Sequence, residues 1–114
     1  MTAPPISEAS WQRTVTETAA FLGWMIYHTH DSRHSVSGFP DLVLVRERIV
    51  YAELKTATGK LTAAQVAWQH ALVAAEGEHH VWRPDDFDEV VAVLKRRQLS
   101  LGVEPEPEDD SIPF

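Results

Sequence analysis

Residues 38–55 read Gly38-Phe39-Pro40-Asp41-Leu42-Val43-Leu44-Val45-Arg46-Glu47-Arg48-Ile49-Val50-Tyr51-Ala52-Glu53-Leu54-Lys55. Two apolar runs, Leu42 to Val45 and Ile49 to Leu54, flank the charged triplet Arg46-Glu47-Arg48, a pattern that predicts two strands joined as a hairpin. Side chains alternate along a strand, so Glu53 and Lys55 share a face, and the loop length decides whether Asp41 joins them. A two-residue turn at Glu47-Arg48 pairs Leu42 with Glu53 and sends Asp41 to the wrong face. A three-residue loop, Arg46-Glu47-Arg48, sets Asp41 opposite Glu53. Bringing Asp41 to the face of Glu53 and Lys55 therefore requires this odd loop or a compensating bulge, although the absence of glycine makes a tight turn less comfortable.

That register matters because of the chemistry it would assemble. A carboxylate at the entrance of a hairpin, with a carboxylate and a lysine two residues apart on the return strand, offers hard oxygen ligands for Mg²⁺. It also sets a cation beside an attacking water and a phosphate, which is what metal-dependent phosphodiester hydrolysis requires.

The rest of the chain is compatible with one small domain. At 114 residues, 44% hydrophobic and with four Trp, there is enough apolar material for a modest core. Cysteine is absent, which excludes disulfides and thiolate metal sites and fits a cytoplasmic location. The apolar runs are far shorter than the ~20 residues of a membrane span, so no membrane association is expected. The net charge of −7 is concentrated at one end, where residues 102–114 hold five acids and no base. The body is close to neutral and remains compatible with a phosphate partner. We expect a flexible N-terminus at 1–6, the domain at 7–100 and an acidic, disordered tail at 101–114.

A first helix is expected from Ser7 to Leu22, with Ser7 as N-cap and Gly23 as its stop. Trp11, Val15, Ala19 and Leu22 share its apolar face, Gln12 lies at the edge of that arc and Glu17 points away. Glu8 falls within the arc, where a carboxylate is costly unless paired or metal-bound, and this makes it the candidate third acid. Alternatively, Glu8 complements the dipole of the first turn. Trp24 to His28 reads as a strand leading into a polar loop, whose His30, Arg33 and His34 are candidates for contact with a DNA backbone. His28, His30 and His34 lack a cysteine or a partner ligand at helical spacing, so a zinc site is the weaker reading of that loop.

Beyond Lys55, a loop containing Lys60 precedes Thr62-Ala63-Ala64-Gln65, the capping-box pattern of a helix expected to reach Glu76 and stop at Gly77. Gln65 is either its cap or a neighbour of the acids. His80 to Arg83 reads as a further strand. Phe87, Val90, Val91 and Leu94 mark a last helix, and its basic ending Lys95-Arg96-Arg97 either complements the helix C-terminus or contacts DNA. The order is helix, three strands, helix, strand, helix: an α/β fold around a mixed sheet.

These features together resemble the stand-alone VRR-NUC domains of the PD-(D/E)XK (restriction-endonuclease-like) nuclease superfamily, of the type found in bacteriophages. The resemblance runs from about Ser7 to Val91. It is carried by Glu8 with Gln12, Gly23-Trp24, Gly38-Phe39-Pro40-Asp41-Leu42-Val43, Glu53-Leu54-Lys55, Gly59-Lys60-Leu61, Gln65 with Trp68, and Trp82-Arg83-Pro84. It implies that Asp41, Glu53 and the Leu54 carbonyl bind Mg²⁺, with Mn²⁺ as a substitute and Glu8 nearby. Lys55 would handle the nucleophilic water and Gln65 would be an active-site neighbour. It further implies a homodimeric endonuclease acting on branched DNA such as Holliday junctions, with Lys60 a further candidate for DNA contact.

The ending Asp109-Asp110-Ser111-Ile112-Pro113-Phe114 resembles the acidic tip of bacterial single-stranded DNA-binding proteins, which docks onto replication and repair enzymes. That implies an alternative function as an adaptor built on a nuclease scaffold. The other readings of the tail are a solubilising segment and a restraint on the body's own DNA site.

Overall fold

The computed structural model describes residues 5–29 and 36–97. Their elements are α1 (Glu8–Phe21), β1 (Met25–His28), β2 (Leu42–Val45), β3 (Ile49–Leu54), α2 (Ala63–Ala74), β4 (Glu78–Trp82), a 3₁₀ turn (Pro84–Asp86) and α3 (Phe87–Lys95). The four strands form one mixed sheet in the order β1-β2-β3-β4, antiparallel at the first two junctions and parallel between β3 and β4. The chain is therefore an α/β fold with an open four-stranded sheet and three helices. His30, Arg33, His34 and the tail 101–114 lie outside the described residues.

The hairpin has the odd loop. Leu42 faces Ala52 and Val45 faces Ile49, leaving Arg46-Glu47-Arg48 as a three-residue connection closed by an Arg46 N–H bond to the Arg48 carbonyl of 3.0 Å. It closes without glycine because its arginines are anchored elsewhere. Arg46 Nη1 donates to the carbonyls of Leu22 and Leu94, each at 3.0 Å, and its Nη2 to that of Arg96 at 2.8 Å. Arg48 donates to the carbonyls of Arg96 and Val93 and pairs with Glu78 at 2.7 Å. Both guanidinium groups lie against the Trp24 ring, 4.5 and 5.0 Å from its centroid, and the Trp24 indole N–H donates to the Leu94 carbonyl. The hairpin tip thus satisfies the open carbonyls at the C-termini of α1 and α3. The basic run at the end of α3 does not do that work alone: its Arg96 side chain turns to Glu78, 3.0 Å away.

One face of the sheet carries the core. Leu42, Leu44, Val50, Ala52 and Leu54 are buried with Trp11, Val15 and Ala19 of α1 and with Val90, Val93 and Leu94 of α3. On α1 the expected face is the buried one, and Ser7 is the N-cap, its hydroxyl accepting from the Ser10 N–H. On α3 the face is turned from the expected one. Val93 is buried and Val91 only half-buried, while Phe87, in the first turn, lies at the rim and meets Trp11 edge-on at 6.4 Å.

The other strand and helix ends shift by one or two residues. β1 starts at Met25 because Trp24 has turned into the core. α2 ends at Ala74, and Glu76 adopts φ 65°, while the Gly77 N–H reaches back to the Leu72 carbonyl at 2.7 Å. A Cβ on Gly77 would sit 2.9 Å from that carbonyl, so glycine is required there by close approach. The last strand spans Glu78–Trp82, since Arg83 leaves the ladder ahead of Pro84.

Replacing Arg48 with alanine is expected to cost about 1–3 kcal/mol of stability, because it removes one donor from each of the Arg96 and Val93 carbonyls and the shortest of the ion pairs of Glu78. Urea unfolding of Arg48→Ala tests this, and a loss below about 0.5 kcal/mol would mean that the hairpin tip does not depend on the anchor.

Candidate active site

Asp41 is placed by contacts on both sides of its backbone. Its carbonyl accepts from the Thr29 N–H at 2.8 Å, and the Thr29 hydroxyl donates to the preceding Pro40 carbonyl, also at 2.8 Å. The approach segment is pressed onto α2. Gly38 has φ 91°, and a Cβ there would fall 2.5 Å from the Ala64 backbone carbon, so no other residue fits without displacing the helix. Phe39 fills the space between layers, edge-on to Trp68 at 5.0 Å and to Tyr51 at 6.2 Å.

Continuing the β2–β3 register one residue past Leu42 and Ala52 sets Asp41 opposite Glu53, as the three-residue loop requires. The two carboxyls meet. Asp41 Oδ2 accepts from the Leu54 N–H at 2.8 Å, and its carboxyl is close enough to raise the pKa of Glu53. Strand alternation breaks at this point, where Ala52, Glu53 and Leu54 are all buried, because β3 is covered here on both faces. Glu53 is the one buried charged residue among those described, at 3% exposure.

Burial, then the neighbouring Asp41 carboxyl, push the Glu53 carboxyl up to about 8; Lys55 opposes the shift and Glu8 adds to it.

Gln65 settles between its two readings by serving both. Its Oε1 accepts from the Thr62 N–H at 2.8 Å, completing the capping box, and its Nε2 donates to Glu53 Oε1 at 3.0 Å. Lys55 lies two residues beyond Glu53, half-buried, its N–H bonded to the Trp82 carbonyl at 3.0 Å.

Glu8 is a correction. It is exposed in the first turn of α1 rather than part of the buried stripe, because the apolar arc begins a turn later at Trp11; its charge nevertheless reaches Glu53. Gln12 at the edge of α1 contacts His28 Nε2 through its amide nitrogen. Lys60 is exposed on the loop beyond Gly59. Arg83, part of the Trp82-Arg83-Pro84 stretch but given no role by the sequence, holds that loop with its guanidinium.

Among the described residues no group of three or more His, Asp or Glu side chains is gathered as a metal cage. The donor set is smaller: two carboxyls in contact, with a displaced pKa that a divalent cation would relieve. Two hard oxygen donors suit Mg²⁺ or Mn²⁺, so the chemistry of the donor set fits the implied metal. No family model, curated protein or solved structure matches this chain. Among the described residues no helix is long and apolar enough to cross a membrane.

The raised Glu53 pKa fixes a sign for stability. The folded chain keeps a proton that the unfolded chain releases above its ordinary 4.5, so stability falls as pH rises from about 4.5 to about 8 and then levels off. The slope is at most about 1.4 kcal/mol per pH unit. Glu53→Gln is expected to flatten that fall in metal-free urea unfolding. Comparing the two proteins cancels the opposite contribution of His79, whose pKa is lowered by burial and by His80. Parallel pH profiles would mean that Glu53 ionises normally in the fold.

Proposed function

We propose that this chain is a metal-dependent DNA endonuclease of the PD-(D/E)XK type, resembling the VRR-NUC domains, that hydrolyses phosphodiester bonds in branched DNA. The observation that carries the reading is the meeting of Asp41 and Glu53 across the β2–β3 hairpin, with Gln65 bonded to Glu53 and Lys55 two residues on. The element order and the strand order support the same reading. Asp41, Glu53 and the Leu54 carbonyl would hold Mg²⁺, or Mn²⁺ in its place, with Glu8 at the periphery. When bound, the cation supplies Lewis-acid activation of water and neutralises charge on the phosphate.

The chain's own residues account for the rest. Gln65 fixes the Glu53 carboxyl through one amide hydrogen bond, so the carboxyl cannot rotate freely. The Leu54 N–H does the same for Asp41. Lys55 presents an ammonium whose positive charge stabilises the charge that builds up on the phosphate oxygens during attack. The buried position of Glu53 keeps bulk water from screening these charges.

The test is cleavage of labelled four-way junction, flap, duplex and single-stranded DNA in Mg²⁺ or Mn²⁺. Junction cutting is expected, and Asp41→Ala and Lys55→Ala should each lower it by about 100-fold or more while both proteins stay folded. Preference for another DNA would keep the chemistry and change the substrate. Absence of cutting by folded wild-type protein on every substrate would overturn the reading.

Self-association belongs to the same proposal. On the face opposite the core, β1 and β2 leave Met25 and Tyr27 76% and 64% exposed, with Val45 and Ile49 beside them, and α2 holds no Asp, Glu, Lys or Arg. An uncharged apolar face of this kind fits a second copy better than it fits a polyanion. Sedimentation is expected to give a dimer that Val45→Glu dissociates. A wild-type monomer at tens of micromolar would remove the dimer from the proposal.

A further inference from the structure

We infer that Arg83 is a positioning residue that fixes the Lys55 ammonium by clamping the loop between the two halves of the site. The segment 56–61 begins beside Lys55 and ends at Thr62, the N-cap of the helix that carries Gln65. Arg83 Nη1 donates to the Thr56 carbonyl at 2.7 Å and to the Gly59 carbonyl at 2.6 Å, so one nitrogen gathers both ends of the loop's tight bend. The Gly59 N–H returns to the Thr56 hydroxyl at 3.1 Å and completes the closure.

Arg83 is itself held. Its N–H donates to Asp86 Oδ2 at 2.8 Å, and the adjoining Trp82 carbonyl accepts both the Lys55 N–H and the Trp11 indole N–H, each at 3.0 Å. The end of β4 therefore grips Lys55 twice: through its own amide at Trp82, and through the following loop at Arg83. A lysine is a flexible side chain on a four-carbon stem, and where its ammonium rests depends on how firmly its backbone is set. Arg83 reaches the site through this loop; among the described residues it bonds to the Thr56 and Gly59 carbonyls and to Asp86, not to Asp41 or Glu53.

The inference rests on the nuclease reading for its kinetic consequence but not for its structural one, and the two are measured separately. Arg83→Lys keeps the charge but replaces the planar fork with a single flexible ammonium. On the DNA that wild type cuts best, in saturating Mg²⁺, kcat is expected to fall about 10- to 100-fold with KM within about twofold, the signature of a misplaced group rather than a lost substrate contact. In a Lys55→Ala background the same substitution should cost less than about twofold, since the group it positions is gone.

Independent losses that multiply, or a rise in KM with kcat unchanged, would overturn the proposal in favour of direct phosphate contact. Amide exchange of Lys55 and Gly59 is the second measurement. It is expected to quicken about 10-fold or more in Arg83→Lys, or in Arg83→Gln if the lysine variant misfolds, while core amides of α1 and β3 keep their protection. Unchanged exchange would overturn the clamp even where cutting is impaired. Wild type that cuts no DNA would defeat the nuclease reading and leave the exchange result to decide Arg83.

Discussion

The pairing of β2 with β3, one residue at a time, is the constraint on which both the core and the site depend. A slip of a single residue would turn Leu42 and Leu44 out of the core and carry Asp41 to the face away from Glu53. Fold stability and the carboxyl pair are thus selected by the same register. What holds the register is not turn propensity, since the loop has no glycine or asparagine, but the anchoring of Arg46 and Arg48 on the carbonyls that end α1 and α3. The hairpin tip and the site lie at opposite ends of the same two strands, and a loosened tip would be felt at Asp41.

The site pays for its geometry in electrostatics. Glu53 is buried against Asp41, and among the described residues neither carboxyl has a salt-bridged arginine; the groups there that reach them are an amide side chain, a backbone N–H and the more distant Lys55. Such a pair destabilises the ionised fold and would not persist as packing alone, because an apolar residue at position 53 would satisfy the core better. By contrast the acids elsewhere are matched: Glu78 lies between Arg48, Arg96 and His80, and these partners hold its carboxyl below the ordinary range against the cost of burial. A buried carboxyl held against a second acid is a costly arrangement, and on the nuclease reading a metal ion would offset that cost.

Much of this was legible in the residues. The hairpin strands, both helix N-caps and the burial of Trp11, Val15 and Ala19 follow from alternation, helical periodicity and capping chemistry, whereas the loop length follows only from requiring Asp41 beside Glu53. What was not legible depended on contacts distant in sequence. Glu8 looks buried on a helical wheel, which cannot tell that the layer above α1 begins only at Trp11. Val93 replaces Phe87 in the core because the 3₁₀ turn at Pro84–Asp86 sets the rotation of α3. The partners of Arg46, Arg48 and Arg83 are carbonyls, which no side-chain pattern announces. Gln65 was read as a choice between two roles, although an amide has two ends and both are used.

The arginines also bear on how an acidic chain would meet a polyanion. Arg46, Arg48 and Arg83 are committed to carbonyls and to Glu47 or Glu78, so little of their charge is offered as a basic face, whereas Arg96, though bonded to Glu78, keeps a side chain that is 58% exposed. Lys55 and the exposed Lys60 remain near the carboxyl pair. On the nuclease reading, two lysines are a weak electrostatic footprint for DNA, whose binding ordinarily scales with the number of phosphates neutralised. The attraction would then come largely from a divalent cation held between Asp41 and Glu53. The same ion that relieves the repulsion built into the fold would turn that spot from a source of negative potential into the strongest positive charge on the surface.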